Sequence, residues 1–288
     1  MKTSSKCVPC FFSQVEKVAQ AVRISEKNQQ KICKILAREL DKYDFSQPPV
    51  TFGRVIYKTI SRVTGINDLY FKDKRRIEKY LLSSSNELVK LIQKDEDPFH
   101  RSAKLCCAAN AIDFGAGYVP DIKKIVKNLE TEVLEVDHFF EFKKQIKKAK
   151  TVLFLGDNCG EIFFDRFFIE QIKKYNGAIK ILYAVRPKPM INDALYEDAV
   201  NVGIDKFAKI ISSGCDYPGV ILEKTSRAFK AKYRTADIIV SKGQGNFESY
   251  FDSKKAVFYI FKAKCSAVSC FLKLPVDSLL FLYNKKMI

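Results

Sequence analysis

The sequence predicts an α/β fold: a Rossmann-like three-layer core with a mostly parallel sheet, plus an N-terminal all-helical region. Three observations point there. Apolar residues recur at three- and four-residue spacing through the first half of the chain, as they do on helices with one buried face. After Lys150, short apolar runs alternate with helical stretches, the grammar of strand, helix, strand units. The composition, 47% hydrophobic and 29% charged over 288 residues, sustains a real core and excludes disordered, collagenous and disulfide-scaffold chains.

The helical region is expected over residues 1–149, with helices at 12–25, 29–43, 52–64, 72–92 and 100–112. Leu81, Leu82, Leu88, Leu91 and Ile92 illustrate the spacing. Breaks fall at Gln47-Pro48-Pro49, at Gly65, in the acidic turn 95–98 and at 115–120. A further charged helix is expected over 121–149, with Lys143, Lys144, Lys147 and Lys148 on a solvated face. The core is expected over 150–288, sharing one cleft with the helical region as a composite unit. Its strands are placed at 151–155, 179–185, 208–211, 238–240 and 257–261, its helices at 161–174, 192–203 and 219–233. In such a sheet ligands bind beyond the carboxyl ends of the strands.

The formal net charge of +17 raises nucleic acid as a partner. Its distribution argues otherwise: +10 falls in residues 1–150 and +7 in the rest, with no basic tail, and 39 of the 50 basic residues are lysines. Forked recognition of phosphate or base edges favours arginine, so an even lysine surface is the preferred reading. The first ten residues are polar, no apolar run is long enough to span a bilayer, and the nine cysteines are expected reduced. A cytoplasmic protein without a membrane partner is expected.

Three loops at the expected strand ends concentrate chemistry. Gly156-Asp157-Asn158-Cys159-Gly160-Glu161 follows the first strand of the core. Its glycines permit a tight turn, and Asp157 with Asn158 offers two hard oxygen ligands, although a capped strand-to-helix turn uses the same residues. The second loop runs from Arg186 to Asn192-Asp193, where Asp193 either caps a helix or supplies another metal oxygen. The third, Ser241-Lys242-Gly243-Gln244-Gly245-Asn246-Phe247-Glu248, offers two glycines for close backbone approach and Lys242 as a point charge for phosphate. Neither the dinucleotide fingerprint nor the P-loop pattern is present. Together the loops read as apparatus for metal-assisted phosphoryl transfer to water.

These residues resemble the damage-control phosphatase family, metal-dependent enzymes long filed as a domain of unknown function, and in particular its stand-alone archaeal and bacterial-type branch. The matching elements, in order, are Lys6-Cys7-Val8-Pro9-Cys10; Thr64-Gly65 with Asp68-Leu69-Tyr70 and Lys74; Asn110-Ala111-Ile112-Asp113-Phe114-Gly115; the 156–161 loop; Arg186 with Asn192-Asp193 and Glu197-Asp198-Ala199; the 242–248 loop; and Lys262-Ala263-Lys264-Cys265. Departures are Ser212 before Ser213-Gly214, where many relatives carry an acid, and Asp277 where a glycine is usual.

The resemblance implies hydrolysis of phosphate monoesters of small metabolites, sugar phosphates or damaged phosphometabolites. It implies Asp157, Asn158 and Asp193 as ligands of a divalent ion (Mn²⁺, Co²⁺, Ni²⁺ or Mg²⁺) that activates an attacking water. Lys242, Gly243, Gln244, Gly245, Asn246, Glu161 and Arg186 become the substrate-binding set, with Lys242 and loop amides stabilising the transferring phosphoryl group. A methyltransferase using S-adenosylmethionine and a non-enzymatic nucleic-acid binder are the competing classes; the first would want a glycine-rich loop after the first strand, which is lacking. Cys7 and Cys10 make half of a zinc or iron–sulfur site, with Cys106, Cys107 or Cys265 to complete it. Asn110 and Asp113 either back the site or reach it.

Overall fold

The computed structural model describes residues 1–93, 95–110 and 133–287. Three amphipathic helices, α1 (Cys7–Val22), α2 (Glu26–Asp41) and α3 (Pro49–Thr64), open the chain and bury Phe11, Val18, Ile32, Leu36, Phe52 and Ile60 against one another. Proline at the first position of α3 wastes no hydrogen bond, and Gly65, at φ 74°, ends the helix in the left-handed conformation. The single helix expected over 72–92 is two, α4 (Phe71–Ser83) and α5 (Ser85–Gln93). The Ser83 and Ser84 hydroxyls both turn back onto the Tyr80 carbonyl, a local bond that competes with the helical ladder. Helix α6 (Pro98–Ala109) starts at Asp97, whose carboxylate caps the amides of Phe99 and His100.

The helix expected over 121–149 is corrected where it is described. A strand β1 (Leu134–Asp137) and a short helix α7 (Phe139–Ile146) occupy its second half, because Asp137 caps the Phe139 amide and His138 accepts the amide of Tyr283 from a neighbouring strand. The N-terminal half of the chain therefore contributes a strand to the sheet. The expected helix end at Ile112, the site candidate Asp113 and residues 121–132 lie outside the described residues.

The remaining elements alternate as expected through β6, with α11, α12 and β7 in addition to those the sequence predicts: β2 (Thr151–Leu155), α8 (Cys159–Tyr175), β3 (Lys180–Val185), α9 (Tyr196–Asn201), β4 (Lys209–Ser212), α10 (Arg227–Thr235), β5 (Ile238–Lys242), α11 (Gln244–Tyr250), β6 (Val257–Lys262), α12 (Ser266–Leu272) and β7 (Leu279–Tyr283). The seven strands form one sheet in the order β1-β7-β6-β5-β2-β3-β4, parallel except between β6 and β7. Alternate residues serve opposite faces: Val152 and Phe154 pack toward α6, α7 and α8, Leu153 and Leu155 toward α10, α11 and α12. The first face carries an aromatic cluster of Phe99, Phe142, Phe168, Phe258 and Phe281. Burying each ring is worth about 1.5–3 kcal/mol.

The topology itself selects a place for a site. From β2 the chain adds β3 and β4 on one side, then returns to lay β5 on the other. Ligands bind where strand order reverses in this way, beyond the carboxyl ends. Here that crevice opens after Leu155 and Lys242, at the 156–161 and 242–248 loops.

Candidate active site

Each loop is held by backbone contacts that the sequence order conceals. The 156–161 loop is stitched to the loop after β3: Asn158 and Asp193 form an isolated antiparallel bridge, the Cys159 amide donates to the Asn192 carbonyl (2.8 Å) and the Ala194 amide to the Asp157 carbonyl (2.8 Å). Ile191, a β-branched residue at φ 49°, bends the chain just before Asn192-Asp193. Gly243, at φ 85°, makes room for the site: a Cβ there would sit 1.9 Å from Asp157 Oδ2. Its hydrogen atom is what lets the Asp157 carboxylate lie over the start of α11.

Asp157, Asn158 and Asp193 thus come together on the floor of one cavity of about 340 Å³. Its walls come from both parts of the chain: Cys7, Cys10, Phe11, Val50 and Tyr57 from the helices, and Gln244, Gly245, Glu248, Lys264 and Cys265 from the sheet loops. Burial, with the carboxylates of Glu161 and Asp193 nearby, pushes the Asp157 carboxyl well above its usual range, against the pull of Arg186 and Lys264. Burial pushes Asp193 up as well, opposed by Arg186, whose Nε donates to Asp193 Oδ2 at 2.6 Å.

A divalent cation fits this donor set. The three groups offer oxygens, the ligands hard ions take. Asp157, Glu161, Asp165 and Asp193 are all buried, while Arg186 and Lys242 are the cations paired within the cluster. Two formal negative charges remain in a space that water screens poorly, a deficit that one divalent ion makes good.

Comparison with known proteins follows this geometry. A family model described as the damage-control phosphatase ARMT1-like domain matches residues 3–280. The chain is 32% identical over 291 residues to a damage-control phosphatase of Pyrococcus horikoshii, with 99% of each chain covered. It is 33% identical over 279 residues to an uncharacterized protein of Methanocaldococcus jannaschii, covering 93% of this chain and 91% of that one. A crystal structure of a DUF89 family protein from Pyrococcus horikoshii matches with a TM-score of 0.90 at 30% identity, covering 99% of both chains. This chain belongs to the damage-control phosphatase family.

Several residues expected to bind substrate in the phosphatase lie behind the cleft instead. Lys242 is fully buried; its ammonium donates to Asp165 Oδ1 (2.8 Å) and pairs with Glu161 Oε2 (3.4 Å). Burial alone would lower it, but Asp165, Cys106 and Glu161 hold it well above the usual lysine range. In this structure it serves as the counter-ion of those two carboxylates. Glu161 is equally buried, as is Asn246, which accepts from the Val220 amide (2.7 Å) and donates to the Lys242 carbonyl (2.7 Å). Arg186 is spent on Asp193 and Asn246. The amides of Cys159, Glu161 and Gly243 already serve carbonyls of Asn192, Asn158 and Ile260. Gln244 and Gly245 do line the cavity.

Lys6 and Lys264 both line the cavity, exposed and, among the described residues, without an ion-pair partner, and of the two it is Lys264 whose charge pulls on Asp157. Lys264 sits in the matched element Lys262-Ala263-Lys264-Cys265, and its amide donates to Gln244 Oε1 at 2.8 Å. Asn110 backs the site: its amide donates to both oxygens of Glu161 (2.9 and 2.8 Å) and its carbonyl oxygen accepts the Lys262 amide (2.9 Å). Of the three cysteines that might join Cys7 and Cys10, only Cys265 reaches their cavity; Cys106 donates to Asp165 and Cys107 to the Leu280 carbonyl inside the core.

A second acidic group lies beyond the first turn of α8. Glu78, Cys159 and Asp198 place ligand atoms within 4.8 Å of one another. Lys74 and Arg75 already occupy it: Lys74 Nζ is 3.3 Å from Asp198 and 3.0 Å from Asp68, and Arg75 bonds Glu78 (2.6 Å) and Asp198. Burial, together with Asp198 and Glu78, pushes the Cys159 thiol well up. Two cations in contact with the carboxylates, buried Lys74 and half-buried Arg75, disfavour a third.

Proposed function

We propose that this phosphatase hydrolyses phosphate monoesters of small metabolites, sugar phosphates or damaged phosphometabolites, and that it depends on a divalent ion held by Asp157, Asn158 and Asp193. The observation that carries the reading is the uncompensated acidic floor of a cleft at the topological switch point, faced by an unpaired lysine. Mn²⁺, Co²⁺, Ni²⁺ or Mg²⁺ bound there supplies Lewis-acid polarisation of the phosphoryl group and an activated water. Lys264 takes the contact first sought at Lys242, meeting the phosphate oxygens as a mobile point charge. Gln244 and the Gly245 segment border the same space, and Tyr57, Phe11 and Ile191 form a mixed wall for the remainder of a small metabolite. Asp193 is held in place by Arg186, so a ligand oxygen meets the ion without prior rearrangement. Among the described residues no helix is long and apolar enough to cross a membrane.

The test is phosphate release from p-nitrophenyl phosphate and a panel of sugar phosphates, with each ion and with chelator, for the parent and Asp157→Ala. Metal-dependent release by the parent, lost in the variant, is expected. Full activity in chelator, or in Asp157→Ala, sinks the proposal.

A further inference from the structure

The mechanism above uses Glu161 and Lys242 for nothing, yet both are fully buried directly behind the ligands. Every bond to the Glu161 carboxylate is one it accepts. Oε1 takes hydrogens from Asn110 (2.9 Å) and from Asn158 Nδ2 (2.6 Å); Oε2 takes one from Asn110 (2.8 Å) and faces the Lys242 ammonium (3.4 Å). Lys242 is in turn anchored on Asp165, which also receives the Tyr183 hydroxyl (2.7 Å).

The consequence lies in Asn158. An asparagine amide has one face that donates and one that accepts, and only its surroundings decide which way it turns. Asn158 Nδ2 is claimed from behind by Glu161 and, at 3.1 Å, by Asp157 Oδ2. Its Oδ1 is left as the face not claimed by this network, in a residue that lines the cavity. We infer that Glu161, braced by Lys242 and Asn110, is a positioning residue that locks the Asn158 amide with its oxygen toward the ion. This rests on the proposed metal site, and it gives the buried lysine a role: it stabilises the carboxylate that sets the flip.

The inference separates from generic damage through a double substitution. Glutamine in place of Glu161 fills the same volume, but with Asn110 holding its oxygen it turns an NH₂ toward Asn158, forcing the amide over. An aspartate at position 158 has two equivalent oxygens and needs no flip; it also repels Glu161 and welcomes a glutamine. Binding of Mn²⁺ alone, by calorimetry, is the measurement, with thermal melting as the folding control. Glu161→Gln is expected to weaken Mn²⁺ binding about 10–100-fold, the usual cost of losing a partner behind a ligand. In an Asn158→Asp background the same exchange should leave the Kd within about threefold and raise the melting temperature. Equal losses in both backgrounds, or none in the parent, overturn the inference. Should Glu161→Gln alone not fold, the double variant must fold and bind Mn²⁺; its failure overturns the inference too. Asp157→Ala runs alongside: if it binds Mn²⁺ like the parent, the metal site itself is wrong, whereas loss there with no effect of Glu161→Gln refutes only the positioning role.

Discussion

Two buried carboxylate clusters flank the first turn of α8, and they are built to opposite ends. On one side Asp68, Glu78 and Asp198 share Lys74 and Arg75, and each of the three carboxylates touches a cation; Asp198 also accepts the Leu195 amide (2.8 Å). On the other, four carboxylates share Arg186 and Lys242. The first cluster has ligand atoms within 4.8 Å of one another, yet each of its carboxylates already contacts a cation. The second has a deficit and a cavity. Gathered acidic side chains therefore mean little until the cations touching them are found: carboxylates each paired with a cation clamp α4 to α9, whereas a cluster that leaves Asp157 unpaired over a cavity waits for a ligand.

The comparison can be broken first at the paired cluster. Lys74→Met leaves Asp198 without its buried ammonium, and urea unfolding should show a loss of about 3–5 kcal/mol, while Mn²⁺ stoichiometry stays that of the parent. A matching fall in Mn²⁺ binding in a variant that still folds would merge the two clusters into one. Gly243→Ala attacks the cluster around Asp157 without touching a charge. The new Cβ meets Asp157 Oδ2 and the residue must hold φ 85°, so a stability loss of about 1–3 kcal/mol should accompany weakened Mn²⁺ affinity.

Lys264→Ala sharpens the division between ion and phosphate. Losing a charge-assisted bond, worth about 1.5–3 kcal/mol, should lower kcat/KM for sugar phosphates by about 10–100-fold, with the Mn²⁺ Kd unchanged. The smallest effect is one of pH. Burial lifts Glu248, on the cavity wall, from 4.5 to about 7, against the Gln244 bond and the N-terminal ammonium. The folded chain then holds a proton that the unfolded chain has released between those values, so this group makes stability fall as pH rises from 4.5 to about 7 and level beyond. Glu248→Gln should flatten that part of the stability profile in buffered urea titrations.

Much of this architecture was legible. The strand and helix alternation after Lys150 follows from local pattern, and the resemblance points to Asp157, Asn158 and Asp193, which line one cavity. Strand parity also contained the correction to Lys242: Ile238, Val240 and Lys242 share a face, and that face packs on α8, where Glu161 and Asp165 stand four apart. What stayed hidden is non-local. Asn110 meets Glu161 across 51 residues, and β1 earns its place only by pairing with β7 at the far end of the chain. Gly243 owes its identity to a carboxylate on another loop, and Lys264 is one of 39 lysines until the fold brings it to the cavity wall beside Lys6.

The central claim is that the ion binds the cluster around Asp157. Mn²⁺ stoichiometry and affinity, measured side by side for the parent, Asp157→Ala and Cys159→Ser, test it most directly. The account requires one ion per chain in the parent and in Cys159→Ser, with binding lost in Asp157→Ala. Retention in Asp157→Ala with loss in Cys159→Ser would contradict it, moving the metal to Glu78, Cys159 and Asp198.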